Sequence, residues 1–521
     1  MKFRFNVALL PLKAFSLFSL LVFQLFLGCA GGKNICDNNV RANKREIKTL
    51  EELRSAIDEN FSDSSFAHAH WGVLIQSLRT GQVWYERNSD RMFNPASNNK
   101  IPSASAALVT LGPEFTFKTE LCANGMIADS ILKGDLVVFG NGDPSLYSHF
   151  QKDPRDLFKH WASILKAKGI KHVTGNVIGD DNSFDDNSIG YGWSFDGLDA
   201  WYSAEIGPLQ LNENYVDLTI FPPKDLSGSV KIEPNIPSSY YKIINRLSVT
   251  DKGRNDINVT RAYGTNNILI EGTVVAGTNP VVESPSVFNP TLFYTTVLKE
   301  VLQSEGIKID GSAVDCDDIE GWKHSINDFL ILDEHNSPAL KEIIKEMMKR
   351  SQNLYAETMT RILGLKEHKL GSFKNGKKVV EKVLSGFGIE PGTYQYMDGS
   401  GLSRYNYISP RELVKILTAM YKSPYWEVWR DAQPIAGVDG TLKNRMKGTK
   451  AEGNVRAKTG TISNVRGLSG YVTTADGEEI VFSFLVNGHL RTSLDTEKIT
   501  DKALTLIAEF QRDNVNIVKQ K

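Results

Sequence analysis

The sequence predicts an α/β fold in which a domain of mixed helices and strands is interrupted by a long β-rich insert. Three observations support this prediction. Helical and strand-like segments occur at both ends of the chain, and short β-like runs separated by Gly, Pro, Asn and Asp fill the middle, from about Thr116 to Pro290. Helical periodicity then returns in the last part of the chain. The 521 residues suffice for several domains of roughly 100–200 residues each.

The first part of the domain contains a helix, two strands and a second helix. Thr49-x-x-Glu52 forms a capping box ahead of a helical apolar pattern. Trp71–Leu78 and Gln82–Arg87 alternate as strands on either side of a turn. Ser97–Leu111 is alanine-rich and helical in character. Pro102 is expected to interrupt it, unless it lies within the first turn of the helix, where a proline costs little.

The middle of the chain is predicted to be mostly β, with few long helical patterns. Its strand-like runs are Leu136–Phe139, Val173–Ile178, Tyr215–Phe221, Val230–Ile232 and Ile268–Val275.

The last part of the chain combines helices with a hairpin. A helical pattern covers Pro290–Gly306, and helix starts are expected at Ser337-Pro338 and at Ser409-Pro410. Asp476-Gly477 is a strong hairpin signal between strand-like segments on either side. A final amphipathic helix is expected to run through Ile499 and Phe510.

Composition excludes several classes of function. Lys plus Arg total 60 and Asp plus Glu total 61, so the net charge of −1 shows no basic excess for binding nucleic acid. The four cysteines form no C-x-x-C pair, and no H-E-x-x-H pattern occurs. The sequence therefore implies neither a metal nor a cofactor. An acidic group at Asp180, Asp181, Asp185 and Asp186 has the oxygen ligands for calcium, but a turn network is the favoured interpretation.

Residues 1–29 are interpreted as a signal peptide of the lipoprotein type, followed by a linker over residues 30–45. The apolar run Ala14–Leu27 is shorter than the about 20 residues of a membrane-spanning helix. The run ends in Phe26-Leu27-Gly28-Cys29, which resembles the bacterial lipobox and predicts lipidation of Cys29; Phe26 departs from that pattern. Cleavage after Ala30 and an uncleaved anchor are the alternatives. All three place the mature protein in the cell envelope, outside the cytoplasm, where a disulfide can persist.

Three short motifs occur in a defined order: Ser97-x-x-Lys100, Ser351-x-Asn353 and Lys458-Thr459-Gly460. Each motif is weak alone, but their order is that of serine acyl-transferases with a lysine base. A serine hydroxyl needs a base, and Lys100 lies one helical turn beyond Ser97. That lysine must be neutral, so burial and a second cation, Lys458, are expected to lower its pKa. The backbone N–H groups of Ser97 and Thr461 are candidate oxyanion donors.

The chain resembles the penicillin-binding protein 4 type of D-alanyl-D-alanine carboxypeptidase/endopeptidase, peptidase family S13. The resemblance extends from about Glu46 to Arg512. Beyond the three motifs, it rests on Gly140–Leu146, Gly179–Asp185, Leu211–Asn214, Asp398–Arg404 and Gly437–Leu442.

The resemblance implies a penicillin-binding-protein transpeptidase-like domain, related to serine β-lactamases, with helices covering a central antiparallel sheet. Residues 46–115 and 322–521 would form this catalytic domain, and residues 116–321 the β-rich insert of one or two subdomains. It further implies that Ser97 is the acylated nucleophile, Lys100 its base and Ser351 the proton relay to the leaving amine. The substrate peptide would be bound by Asn353, and its terminal carboxylate by Lys458, Thr459 and Thr461.

The implied function is hydrolysis of the terminal D-alanine from peptidoglycan stem peptides through a Ser97 acyl-enzyme, with endopeptidase action on cross-links as a further expectation. β-Lactams would act as acylating inhibitors, and a lipid on Cys29 would hold the protein at a membrane of the periplasm. A serine β-lactamase is a rival, but it lacks support because no E-x-x-x-N pattern lies between Ser351 and Lys458. A non-catalytic cell-wall binding protein that retains the fold is a second rival. The intact motif residues argue against it.

Overall fold

The computed structural model describes residues 47–512. The predicted signal peptide, the linker and the candidate lipid site Cys29 lie outside the described residues. The helices of the described part are α1 (Leu50–Phe61), α2 (Lys100–Leu111), α3 (Asp156–Ala167), α4 (Pro290–Ser304), α5 (Leu340–Arg350), α6 (Asn353–His368), α7 (Phe373–Gly386), α8 (Pro410–Tyr421), α9 (Trp426–Ala432) and α10 (Ser493–Glu509).

The strands of the same part of the chain are β1 (His70–Ser77), β2 (Val83–Arg87), β3 (Lys118–Ala128), β4 (Ile131–Gly140), β5 (His172–Val173), β6 (Val177–Asp180), β7 (Leu218–Phe221), β8 (Lys231–Pro234), β9 (Lys242–Thr250), β10 (Asp256–Arg261), β11 (Asn267–Val275), β12 (Val281–Glu283), β13 (Lys308–Ile309), β14 (Ala313–Asp315), β15 (Leu330–Asn336), β16 (Arg456–Ile462), β17 (Val465–Thr473) and β18 (Glu479–Asn487).

A five-stranded antiparallel sheet is ordered β16-β17-β18-β1-β2. It combines β1 and β2 from the first part of the chain with β16, β17 and β18 from the last part. Its strands are apolar on both faces because both faces are covered by helices. Val73 and Phe484 pack with residues of α1 and α10, whereas Leu74 and Leu485 pack on the other face with residues of α2 and α8. The predicted α/β fold, with helices covering a central antiparallel sheet, is confirmed.

The middle of the chain forms three further sheets. One contains seven strands: β13-β5-β4-β3-β15 in order, with β6 and β14 attached beside β4. Two three-stranded sheets follow, ordered β10-β11-β9 and β12-β7-β8. β15 pairs with β3 although it lies beyond residue 321, where the insert was predicted to end. The domain limits 46–115, 116–321 and 322–521 stay a prediction.

The prediction for the middle of the chain missed one helix and four strands, β3, β9, β10 and β12, and merged two others. α3 buries Leu157, Phe158, Trp161 and Leu165 at helical spacing, a pattern that the surrounding β-like texture obscured. The single run Val173–Ile178 is divided between β5 and β6.

Two expected helix boundaries are also corrected. Pro102 does not interrupt α2, because it lies in the first turn of that helix, where no N–H is needed for a helical hydrogen bond. Ser337 does not cap α5, which begins at Leu340 with Ala339 as its N-cap. The Ser337 hydroxyl instead accepts a hydrogen bond from the backbone N–H of Phe117 at 2.9 Å.

Candidate active site

Ser97 lies in a short 3₁₀ turn, Ala96–Asn99, that leads directly into α2. Ala96 adopts a left-handed backbone with φ of 46°, which is unfavourable for a residue with a Cβ. The surroundings hold it there: Asn94 Oδ1 accepts from the Ala96 N–H at 2.9 Å. A Cβ on Gly401 would lie 1.9 Å from the Ala96 carbonyl oxygen, so glycine is required where the Asp398–Arg404 segment contacts this turn.

Lys100 is fully buried and its Nζ contacts three oxygen atoms. They are Ser97 Oγ at 3.0 Å, Asn353 Oδ1 at 2.6 Å and the Ser400 carbonyl oxygen at 2.8 Å. A neutral amine has two N–H donors and one lone pair. Asn353 and Ser400 accept the two donors, which leaves the lone pair for the hydroxyl proton of Ser97. The arrangement therefore suits Lys100 as a base.

Burial lowers the pKa of Lys100 to about 7, although the carboxylates of Asp398 and Glu357 act in the opposite direction. Burial, and then the charge of Lys100, lowers the pKa of Lys458 well below its usual value. Desolvation, which we expected to act together with Lys458, is thus the main cause of the low pKa of Lys100.

Ser351 connects α5 to α6 and has a left-handed backbone with φ of 63°. Its Oγ accepts a hydrogen bond from Lys458 Nζ at 2.8 Å, and the same Nζ donates to the Thr459 carbonyl oxygen at 2.7 Å. Because the lysine is the donor, the hydroxyl hydrogen of Ser351 is free to point elsewhere.

A cavity of about 570 Å³ joins these groups. The predicted residues that line it are Ser97, Ser351, Asn353, Thr459 and Thr461. Lys100 and Lys458 lie behind this surface, each 0% exposed. Trp201 and Tyr202, from the insert, line the cavity as well.

Asn353 was expected to bind the substrate peptide, but both ends of its amide already have partners within the protein. Its Oδ1 accepts from Lys100, and its Nδ2 donates to the Tyr202 carbonyl oxygen at 2.6 Å. The amide nitrogen has a second N–H donor, and Asn353 lines the cavity, so contact with the substrate peptide stays a prediction.

The Asp398–Arg404 segment positions Lys100 through the Ser400 carbonyl oxygen. No motif had suggested this role. The buried Asp398 carboxylate accepts from the N–H groups of Gly401 at 2.7 Å and Ser403 at 2.6 Å, which folds the turn. Glu357 accepts from the N–H of Ser400 at 2.8 Å, so the Ser400 carbonyl is directed at Lys100. Burial and the nearby Asp398 raise the pKa of Glu357 to about 7. The segment is therefore a structural turn.

Close packing explains the glycine of Lys458-Thr459-Gly460. A Cβ on Gly460 would lie 2.6 Å from the Pro95 carbonyl oxygen and 2.7 Å from Asn98 Nδ2. Asn99 Nδ2 donates to the Asp398 carbonyl oxygen at 2.7 Å. Both asparagines precede α2. Asn99 joins the turn of Ser97 to the Asp398 segment, whereas the buried amide of Asn98 packs against β16 without a hydrogen-bond partner.

Two of the acidic residues that had suggested calcium accept hydrogen bonds from side chains distant in the sequence. Asp180 accepts from Trp322 Nε1 at 2.7 Å, and Asp181 from Thr291 Oγ1 at 2.7 Å. Among residues 47–512, one group of potential ligand atoms lies within 4.8 Å of one another, contributed by Asp181, Asp315, Cys316 and Asp317. Cys122 and Cys316 are buried free thiols.

The fold and this arrangement of serines and lysines are those of the penicillin-binding class of serine hydrolases. Comparison with protein families then identifies the branch of that class: the model of the D-Ala-D-Ala carboxypeptidase 3 (S13) family matches residues 53–509, and the chain belongs to this family. The predicted family and enzyme class, a serine-type D-Ala-D-Ala carboxypeptidase, are confirmed.

Several relatives support the assignment over most of their length. The D-alanyl-D-alanine carboxypeptidase of Actinomadura sp. (strain R39) is 32% identical over 84% of this chain and 82% of its own. D-alanyl-D-alanine carboxypeptidase DacB of Haemophilus influenzae is 27% identical over 85% and 90%, respectively. The crystal structure of penicillin binding protein 4 from Haemophilus influenzae has a TM-score of 0.72 at 26% identity, covering 88% of this chain and 98% of that one.

Proposed function

We propose that this carboxypeptidase removes the terminal D-alanine of peptidoglycan stem peptides through an acyl-enzyme on Ser97, with Lys100 as general base. The observation that carries the proposal is the 3.0 Å contact between Ser97 Oγ and the buried, low-pKa amine of Lys100. A homologue from Haemophilus influenzae, 25% identical with a TM-score of 0.68, has been crystallised with a β-lactam. We therefore expect β-lactams to acylate this protein, and mapping the adduct to Ser97 tests the proposal.

Acylation transfers one proton from Ser97 to the leaving amine. Lys100 takes the proton of Ser97 Oγ, which attacks the carbonyl carbon of the bond between the two D-alanines. The oxyanion is assigned to the backbone N–H groups of Ser97 and Thr461, the donors that the sequence suggests. As the C–N bond breaks, the amine nitrogen takes the hydroxyl proton of Ser351. The proton held by Lys100 then restores Ser351, and D-alanine leaves.

Deacylation repeats these steps with water in place of the amine. Lys100 takes a proton from water, whose oxygen attacks the ester carbon. The bond to Ser97 Oγ breaks, and this oxygen recovers its proton from Lys100. The shortened peptide leaves with a new carboxylate, and each group returns to its starting state.

We assign the binding of the substrate's terminal carboxylate to the hydroxyls of Thr459 and Thr461, together with the buried Lys458. Thr459 Oγ1 has one protein partner, Thr441 Oγ1 at 2.8 Å, and Thr461 is exposed in the cavity. The cavity also carries more positive than negative side chains. Its arginines are Arg350, Arg404, Arg445 and Arg466, and its carboxylates are Asp196 and Glu497.

Amidating the substrate's C-terminus is expected to reduce kcat/KM at least about tenfold. A hydrogen bond to a charged group contributes about 1.5–3 kcal/mol, so the loss of one contact suffices for this effect. The measurement compares a D-Ala-D-Ala peptide acid with its amide, under identical conditions.

The matched variant is Thr461→Val, which removes the hydroxyl and keeps the shape of the side chain. It should slow hydrolysis of the acid and leave that of the amide nearly unchanged, so that the ratio between them falls. Equal hydrolysis of acid and amide by the native enzyme would contradict carboxylate recognition and favour endopeptidase action on cross-links.

We propose that the enzyme works in the cell envelope, held at a membrane of the periplasm by a lipid on Cys29. Action on peptidoglycan requires a location outside the cytoplasm, and the lipobox-like Phe26-Leu27-Gly28-Cys29 supports the anchor. Within residues 47–512, no helix is both long and apolar enough to cross a membrane. Two acyl chains suffice for stable anchoring, because each buried methylene contributes about 0.8 kcal/mol.

The Cys29→Ser variant is expected to lose the lipid and either leave the membrane fraction or remain unprocessed. The native protein should resist alkaline and high-salt washing, because its acyl chains are held by the hydrophobic effect and not by charge. Fractionation followed by N-terminal sequencing checks this. A washable native protein that begins at Gly31 would show cleavage after Ala30 instead.

A further inference from the structure

The insert reaches the segment around Ser351 through one buried carboxylate, that of Glu213. Its Oε1 accepts from Arg350 Nη1 at 2.6 Å, and its Oε2 accepts from Arg350 Nη2 at 3.1 Å. Oε2 also accepts a short hydrogen bond from Gln352 Nε2. Arg350 and Gln352 are the two chain neighbours of Ser351, so one carboxylate of the insert binds the residues on both sides of it.

Aromatic residues of the insert support this contact. The Tyr215 hydroxyl donates to Glu213 Oε2 at 2.9 Å, and the Arg350 guanidinium lies 4.8 Å from the ring centre of Tyr147. Burial disfavours the charged form of Arg350, yet its hydrogen bonds to Glu213 keep its pKa above the usual value. Glu213 is 1% exposed, so its carboxylate is shielded from water, whereas the Arg350 side chain also reaches the cavity.

The backbone is left-handed on both sides of the contact. Asn212, Glu213 and Asn214 have φ of 51°, 55° and 58°, and Ser351 has φ of 63°. Side chains fix the first three: Asn214 Nδ2 donates to the Glu205 carbonyl oxygen at 2.9 Å, and Asn212 Nδ2 to that of Tyr215 at 2.8 Å. Such conformations persist only where the surroundings enforce them, and they concentrate at functional sites.

We propose that Glu213 is a positioning residue for Ser351, and that the insert takes part in the reaction through it. This rests on the proposed role of Ser351 as the proton relay to the leaving amine. By fixing Arg350 and Gln352, Glu213 holds the Ser351 hydroxyl against Lys458 Nζ, at the 2.8 Å seen in the structure. Glu213 acts through its neighbours, since it is not among the residues that line the catalytic cavity.

A change of leaving group separates positioning from general stability. An amine must be protonated to leave, whereas a thiolate leaves without a proton. Glu213→Gln keeps the size of the side chain and removes its charge. We expect kcat/KM for a D-Ala-D-Ala peptide to fall at least about tenfold, and kcat/KM for a thioester of the same acyl group to fall less than about threefold. A merely structural defect would lower both alike.

A double-mutant cycle with Ser351→Ala distinguishes this inference from the proposed function. If Glu213 acts through Ser351, adding Glu213→Gln to Ser351→Ala should change peptide hydrolysis little further. The control is Asp153→Asn, which removes an ion-paired carboxylate of the same insert, bonded to Arg155 and Lys159. It should leave the peptide-to-thioester ratio unchanged.

Each outcome decides one of the two claims. If Ser351→Ala shows the amide-selective loss and Glu213→Gln does not, or if their effects simply add, the positioning role is overturned and the proposed function stands. If Ser351→Ala shows no selective loss, the relay role itself is wrong.

Should Glu213→Gln fail to fold, Tyr215→Phe replaces it in the test, because this variant removes one hydrogen bond to the carboxylate and leaves the ion pair. This variant should show a smaller loss of kcat/KM, again greater for the peptide than for the thioester. Equal effects on the two substrates would overturn the inference.

Discussion

Ser97→Ala is expected to abolish the penicillin adduct and to reduce peptide hydrolysis by about 10⁴–10⁶-fold, the loss found when a serine hydrolase is deprived of its nucleophile. The hydroxyl of Ser97 is the one that contacts the buried amine of Lys100, and its side chain lines the cavity. Intact-protein mass spectrometry should show one adduct on the native enzyme and none on the variant.

Ser105→Ala is the matched control for this variant. Ser105 is a buried serine of α2, the helix that follows the turn of Ser97, and its hydroxyl donates to the Ile101 carbonyl oxygen at 2.7 Å. Its loss should change stability slightly and leave the adduct intact. An adduct that persists in Ser97→Ala would mean that another residue is acylated, and the assignment would fall.

Lys100→Met is expected to slow acylation by about 10²–10⁴-fold, the usual contribution of a positioned general base. Methionine approximates the length of lysine, so the packing around this buried position should be kept better than with alanine. It lacks the lone pair that accepts the Ser97 proton. Stopped-flow acylation by a β-lactam measures the rate, and thermal unfolding verifies that the variant is folded.

The pH dependence of acylation provides a second test of Lys100. Its pKa of about 7 means that the neutral, active form dominates above that pH. The native rate should therefore rise about tenfold per pH unit below pH 7 and level off above it. In Lys100→Met this rise should disappear. A near-normal rate in the variant, with the native pH profile, would transfer the base role to Lys458 or to water.

Much of the fold follows from local sequence signals. The capping box at Thr49 starts α1, Ser409-Pro410 starts α8, and Asp476-Gly477 joins β17 to β18. One failure arose where a local signal was diverted to a distant partner. Ser337, which resembled a cap for α5, binds the backbone of Phe117 instead.

The motifs in turn identified the residues that gather at the cavity, but not the groups that hold them. Ser97, Ser351 and Thr461 line one cavity although the chain separates them widely. Glu357 and Ser400 carried no chemical signal of their own, because one acts as a buried acceptor and the other through its backbone carbonyl. Neither function leaves a pattern in residue type and spacing.

The sequence by itself predicted Ser97 as the nucleophile and Lys100 as its base, and it determined the elements whose periodicity or capping is local, because these depend on residues within a few positions of one another. Only the tertiary structure decided that β1 pairs with β18 and that Lys100 is buried away from water. It also decided that Glu213 of the insert binds Arg350 and Gln352, the chain neighbours of Ser351. The physical reason is that burial, and the pKa that follows from it, is a property of all the surrounding chain. Segments far apart in sequence must close on one another before a carboxylate or an amine loses its contact with water.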